Sequence, residues 1–135
     1  MKTLLFITLL LISYNSFSQV AKFKANWFGT KETVKKNLQP DKVSIFITIN
    51  IEENKLTIYT IDIQRYELMP VGTEEEEGKD RQYFQAVDKS GNLCQILMEY
   101  DENFTKGKFA FFIQYKDKIN DTYWWYWADI IDYEE

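Results

Sequence analysis

Residues 41–63 read DKVSIFITINIEENKLTIYTIDI. Val43, Ile45, Ile47, Ile49 and Ile51 take every second position, a period of two that places them on one face of a strand. Ser44, Thr48 and Asn50 point the other way, with Phe46 the apolar exception on that side. Glu52, Glu53 and Asn54 then form a polar turn. The return, Lys55 to Ile63, is rich in β-branched residues, which favour a pleated strand. Both of its faces are apolar, Leu56 and Ile58 against Tyr59, Ile61 and Ile63. That predicts a central strand, or one carrying a bulge. Two such runs joined by a short turn make an antiparallel hairpin.

The same alternation extends in both directions. Upstream, residues 20–28 (VAKFKANWF) set Ala21, Phe23, Ala25 and Trp27 against Lys22, Lys24 and Asn26. Residues 30–39 (TKETVKKNLQ) are polar and end at Pro40. Val34 and Leu38 have helical spacing and Thr30 is a capping residue, so a short helix and a solvated loop are both compatible with them. Downstream, Tyr66 to Met69 extend the hairpin or form a short strand ended by Pro70. Residues 71–80 (VGTEEEEGKD) are expected to be a solvated loop, because four adjacent glutamates repel one another. Their spacing does not match a calcium loop. Residues 81–88 (RQYFQAVD), 93–100 (LCQILMEY), 108–115 (KFAFFIQY) and 122–131 (TYWWYWADII) read as strands, separated by KSGN at 89–92 and by polar turns.

Seven to eight strands joined mostly by short turns predict an all-β protein. Sequential strands pair as antiparallel neighbours, and closure removes exposed sheet edges. The expected fold is therefore a small antiparallel up-and-down barrel, with a two-sheet β-sandwich as the alternative.

Composition narrows the chemistry. The chain has 135 residues, with 16 Lys and Arg against 21 Asp and Glu, no His and one Cys. An acidic chain is a poor match for nucleic acid. Without His there is no His-based triad and no His-containing zinc site, and one Cys cannot form a disulfide within the chain. No cofactor or metal is expected.

Residues 1–18 read as a signal peptide. Lys2 supplies the positive start, Leu4 to Ile12 the apolar stretch, and Ser16 and Ser18 the small residues before a cut at Gln19. The apolar run is shorter than the ~20 residues that cross a bilayer, so no membrane span is expected. The mature domain would be residues 19–135, periplasmic or secreted. Loss of Lys2 leaves 15 basic against 21 acidic residues, a net charge of −6.

The leader ending in NSFSQ, the hairpin ITINIEENKLTIYTID and the segment VDKSGNLCQILM with its single Cys resemble uncharacterised small exported β-proteins of Bacteroidetes-type bacteria. The strand count is similar in geometry to lipocalin-like barrels. The Gly-x-Trp of lipocalins is absent, however: the nearest trace is Asn26-Trp27-Phe28, with Gly29 on the wrong side of the Trp. The resemblance implies an exported β-protein and names no activity.

Catalytic options are few. Cys94 alternates with Ile96 and Met98 and reads as a small core residue. Ser44 and Ser90 have no base to activate them. The only acid–base option is a carboxylate pair, with Asp62 as its inward-facing member. Glu99 alternates with the inward set and should face water.

The loudest feature is Tyr123-Trp124-Trp125-Tyr126-Trp127. One face of this strand fills the core, and the other needs a second explanation. Parity alone does not set the phase. Placing Trp125 and Trp127 inward fills a barrel with two indoles, and leaves Trp124 and Tyr126, with Phe112 of the preceding strand, as ligand or partner contacts. The function expected is a non-enzymatic exported binding or protein-interaction module using an aromatic-rich sheet face. Its partner would be a protein, a second copy, or a small apolar or sugar ligand. The alternatives are a small carboxylate-dependent hydrolase and a carrier of a small apolar ligand.

Overall fold

The structure is a computed structural model that describes residues 20–116 and 121–134. The leader at 1–18 lies outside the described residues. The strands are β1 (Val20–Thr30), β2 (Asp41–Asn50), β3 (Lys55–Ile58), β4 (Gln64–Glu76), β5 (Lys79–Asp88), β6 (Leu93–Asp101), β7 (Phe109–Tyr115) and β8 (Thr122–Glu134). One short helix, α1 (Lys31–Lys35), sits between β1 and β2. Each strand pairs with its sequence neighbours, and β8 returns to β1, closing an eight-stranded antiparallel up-and-down barrel. Closure decides against the sandwich.

The centre is filled. Phe23 from β1 meets Phe109 and Phe111 from β7 edge-on, at centroid distances of 5.1 and 5.0 Å. Ile47, Leu56, Ile58, Ile96, Met98 and Ile113 pack around them. Each buried aliphatic or aromatic side chain contributes on the order of 1.5–3 kcal/mol relative to exposure. Cys94 is a buried free thiol of this core, and burial pushes its pKa up, the opposite of what a reactive cysteine needs.

Three segments depart from the expectation, and a fourth takes one of the two forms left open. In β1 the register shifts between Ala25 and Trp27. The bulge at Asn26 moves Phe28 to the core side and turns Trp27 outward, where Lys42 and Lys106 lie 5.6 and 5.4 Å from its ring. Residues 30–35 take the helical option. Thr30 and Thr33 form a reciprocal capping box, a role Thr33 can fill because its hydroxyl reaches the Thr30 amide. The β3 strand stops at Ile58, and residues 59–63 form a connection at the rim, with Ile61 and Asp62 in water.

The acidic run is a strand, not a loop. β4 continues through Glu76 and pairs with β5 as far as Lys79. Alternation sends neighbouring glutamates to opposite faces, and partners on β5 absorb charge: Arg81 reaches Glu76 at 3.4 Å and the Tyr83 hydroxyl donates to Glu74. Because β3 pairs with β4 only as far as Glu67, the far edge of β4 runs beyond it, carrying Pro70 and the glutamates. Both are devices that discourage pairing with another chain.

Candidate functional site

The phase of β8 is the reverse of the expectation. Tyr126 is 2% exposed and belongs to the core, and Trp124 packs against it. Tyr123, Trp125 and Trp127 face outward. Two neighbours explain this. The core side continues as Ala128 and Ile130, small and branched residues that fit beside Phe23 and Ala25. On the outer side, Trp125 pairs with Gly29 of β1, and its ring lies across that glycine: a Cβ there would sit 2.8 Å from two indole carbons. Glycine leaves the space in which the indole rests against the sheet.

An aromatic strip therefore runs across the outside of the barrel. Phe112 of β7 lies 5.2 Å from Tyr123 and 6.1 Å from Trp125, and Trp125 meets Trp127 edge-on at 5.6 Å. Trp127 pairs in turn with Ala110 and with Trp27. Val34 of α1, Phe104 and Leu97 border a groove of about 410 Å³ along the strip. At its edge Glu99 accepts from Arg81 at 2.8 Å, an ion pair that holds the guanidinium charged although partial burial opposes it. Of the three residues expected as contacts, Phe112 stands on this face and Trp124 and Tyr126 do not.

Trp124 and Tyr126 instead line the barrel mouth at the end where α1, the 59–63 connection and the 89–92 turn lie. Two lobes open there, of about 790 and 710 Å³, and share Thr60, Gln64 and Trp124. A polar network forms the floor. The Tyr66 hydroxyl donates to Gln64 Oε1 at 2.7 Å, and Gln64 Nε2 donates to the Tyr126 hydroxyl at 3.0 Å. The Tyr115 hydroxyl donates to Asp88 Oδ2 at 2.7 Å, and its ring stacks on Trp124 at 5.7 Å. Asp88 Oδ1 accepts from the Ser90 and Asn92 amides, both at 2.9 Å.

These contacts set the charges. Burial raises the pKa of Tyr66 and Tyr115, and the Asp88 carboxylate adds to the rise at Tyr115, so both phenols stay neutral. Burial works against the Asp88 carboxylate, but its hydrogen bonds from Tyr115, Asn92 and Ser90 outweigh it and hold the group below its ordinary value.

The carboxylate pair does not assemble. Asp62 was the inward member; its side chain is 93% exposed on the 59–63 connection and pairs with Lys89 at 2.9 Å. It left the core side because β3 ends before reaching it. Glu99 is on the outer face with Arg81, as its parity required. Among the described residues, no three His, Cys, Asp or Glu side chains cluster to hold a metal, and no helix is long and apolar enough to cross a membrane. Sequence reasoning missed Gln64, Tyr115 and Asp88 as mouth residues, since their meeting depends on which strands end level with one another.

No family model, curated protein or solved structure matches the chain.

Proposed function

We propose that this chain is an exported, non-catalytic binding module that engages a protein partner through the outer strip of Phe112, Tyr123, Trp125 and Trp127. One observation carries the reading: the core is complete without these rings, yet β7, β8 and β1 pack them side by side on the outer face, over Gly29 and Ala110. Trp and Tyr on a preformed surface are favoured anchors because they bring large area at small entropic cost. Export rests on the tripartite leader at 1–18.

The test is site-specific photo-crosslinking in cells that produce the chain. A crosslinker at Phe112 should give a discrete adduct, and one at Lys55, on the opposite side of the strand order, should not. An adduct of twice the chain mass identifies a second copy, and another mass a foreign protein. No adduct at Phe112, or equal labelling at Lys55, ends the proposal.

A further inference from the structure

We propose that the barrel mouth is a second, independent binding site, for a small uncharged and mainly apolar ligand that carries one oxygen acceptor. Its size is right, since each lobe lies within the ~300–1,000 Å³ of small-molecule sites. The larger lobe is walled by Ile45, Tyr59, Ile61, Ile63 and Trp124. Ile61 stands wholly in water and Tyr59 is also exposed. Two such side chains on one rim connection gain most from an apolar body laid against them.

Polar groups at the floor define the acceptor. Nε1 of Trp124 is buried and has no well-formed hydrogen bond, although the Tyr126 hydroxyl lies nearby. A buried donor without a full partner carries a cost that a nearby acceptor relieves. The Tyr126 hydroxyl accepts from Gln64 and keeps its own proton to give. One oxygen on a ligand would accept from the Tyr126 hydroxyl, on a residue that lines the smaller lobe.

The charged groups argue for neutrality. Asp62 is paired with Lys89, Glu32 with Lys36, and Lys31 donates to the Asp121 carbonyl. Asp88 already accepts from three donors. Arg65 and Lys35 complete the rim and are exposed to water. An anionic head taken to the floor would meet hydroxyl, amide and indole groups beside the Asp88 carboxylate, a cationic head would find only that already hydrogen-bonded carboxylate, and either would lose its hydration.

Octan-1-ol and octanoate share a chain and differ in charge, so they make the test. Indole N–H resonances are followed by NMR, assigned with single Trp→Phe variants. Octan-1-ol should move the Trp124 resonance and leave Trp125 and Trp127 in place. Octanoate at pH 7 should bind at least about tenfold more weakly. A Tyr59→Ser, Ile61→Ser double variant should weaken octan-1-ol about tenfold. Silence at Trp124 up to the solubility limit overturns the site. Equal or tighter binding of octanoate overturns the neutral class. Movement of Trp125 and Trp127 instead assigns the ligand to the outer strip. The crosslinking result at Phe112 is unaffected by any of these outcomes.

Discussion

At the scale of single residues, Gly29 and Asp88 each hold a neighbour in place, and the phenols of Tyr66 and Tyr115 report on the interior. A methyl group at position 29 would collide with the Trp125 indole at 2.8 Å. Gly29→Ala should cost about 1–3 kcal/mol, as overpacking does, and the cost should shrink when Trp125→Ala is also present. Urea melts of the four proteins measure the coupling, and additive losses would mean that the ring does not rest on the glycine. The phenols predict an alkaline response with a definite sign. Burial raises the folded pKa of Tyr66 and Tyr115 above the ordinary value, so their contribution is complete below about pH 10 and declines as pH rises towards the folded values. Ultraviolet titration of the native protein should show part of the tyrosine signal appearing only with unfolding, and smooth ionisation of every phenol would contradict the burial. Asp88 acts in the reverse direction. Its pKa is lowered, so its contribution is present above about pH 4 and lost as pH falls through the folded value. Asp88→Asn should destabilise by about 1–2 kcal/mol at pH 7, and the gap between the two proteins should close in acid.

At the scale of elements, period-two patterning found most of the strands, missed the acidic end of β4, and was too coarse to orient all of them. The 43–51 run was legible because polar and apolar residues alternate, and the structure keeps Phe46 as its exposed exception. In 123–127 both parities are aromatic, so alternation has no contrast. The telling signal lay further on, where Asp129 shares parity with Trp125 and Trp127 and marks the wet face, opposite Ala128 and Ile130. Trp27 was misplaced because a bulge adds one residue and inverts everything after it. The mouth was illegible because Gln64, Asp88 and Tyr115 come from three strands whose relative lengths set their meeting. Turns give a sharper test than strands. Gly107 and Gly91 both have positive φ, 134° and 88°, but a Cβ at 107 would lie 2.7 Å from the backbone of Ala128, and one at 91 would meet nothing. Gly91→Ala should cost about 1–2 kcal/mol for the backbone alone, and Gly107→Ala markedly more, since the chain crossing over β8 must move. Equal losses in denaturant melts would show that the β6–β7 connection does not press on β8.

At the scale of the whole molecule, closure is the property from which the others follow. Every strand lies beside its sequence neighbours, and the seam between β8 and β1 is an antiparallel ladder with two register shifts, with Val20 opposite Glu134. Closure gives every strand two neighbours, and it lets the inner face be packed solid while the outer face stays free to carry rings. If that is the organising principle, the position of the chain ends is incidental to stability. Joining Glu134 to Val20 through a short Gly-rich turn converts the seam into a hairpin. Opening the chain between Leu38 and Gln39, both exposed in the connection from α1 to β2, breaks no strand pairing. The Leu38 amide keeps its bond to the Thr33 carbonyl. The permuted protein should fold with the same far-ultraviolet spectrum and unfold in one transition, within about 2 kcal/mol of the parent, since exposed tips tolerate such cuts. A cut inside β7, between Phe111 and Phe112, should abolish folding, because it interrupts the strand that faces Phe23. Should the tip-opened permutant fail as badly as the β7 permutant, the β1–β8 seam is not an ordinary ladder, and the barrel is held by the order in which its strands are made.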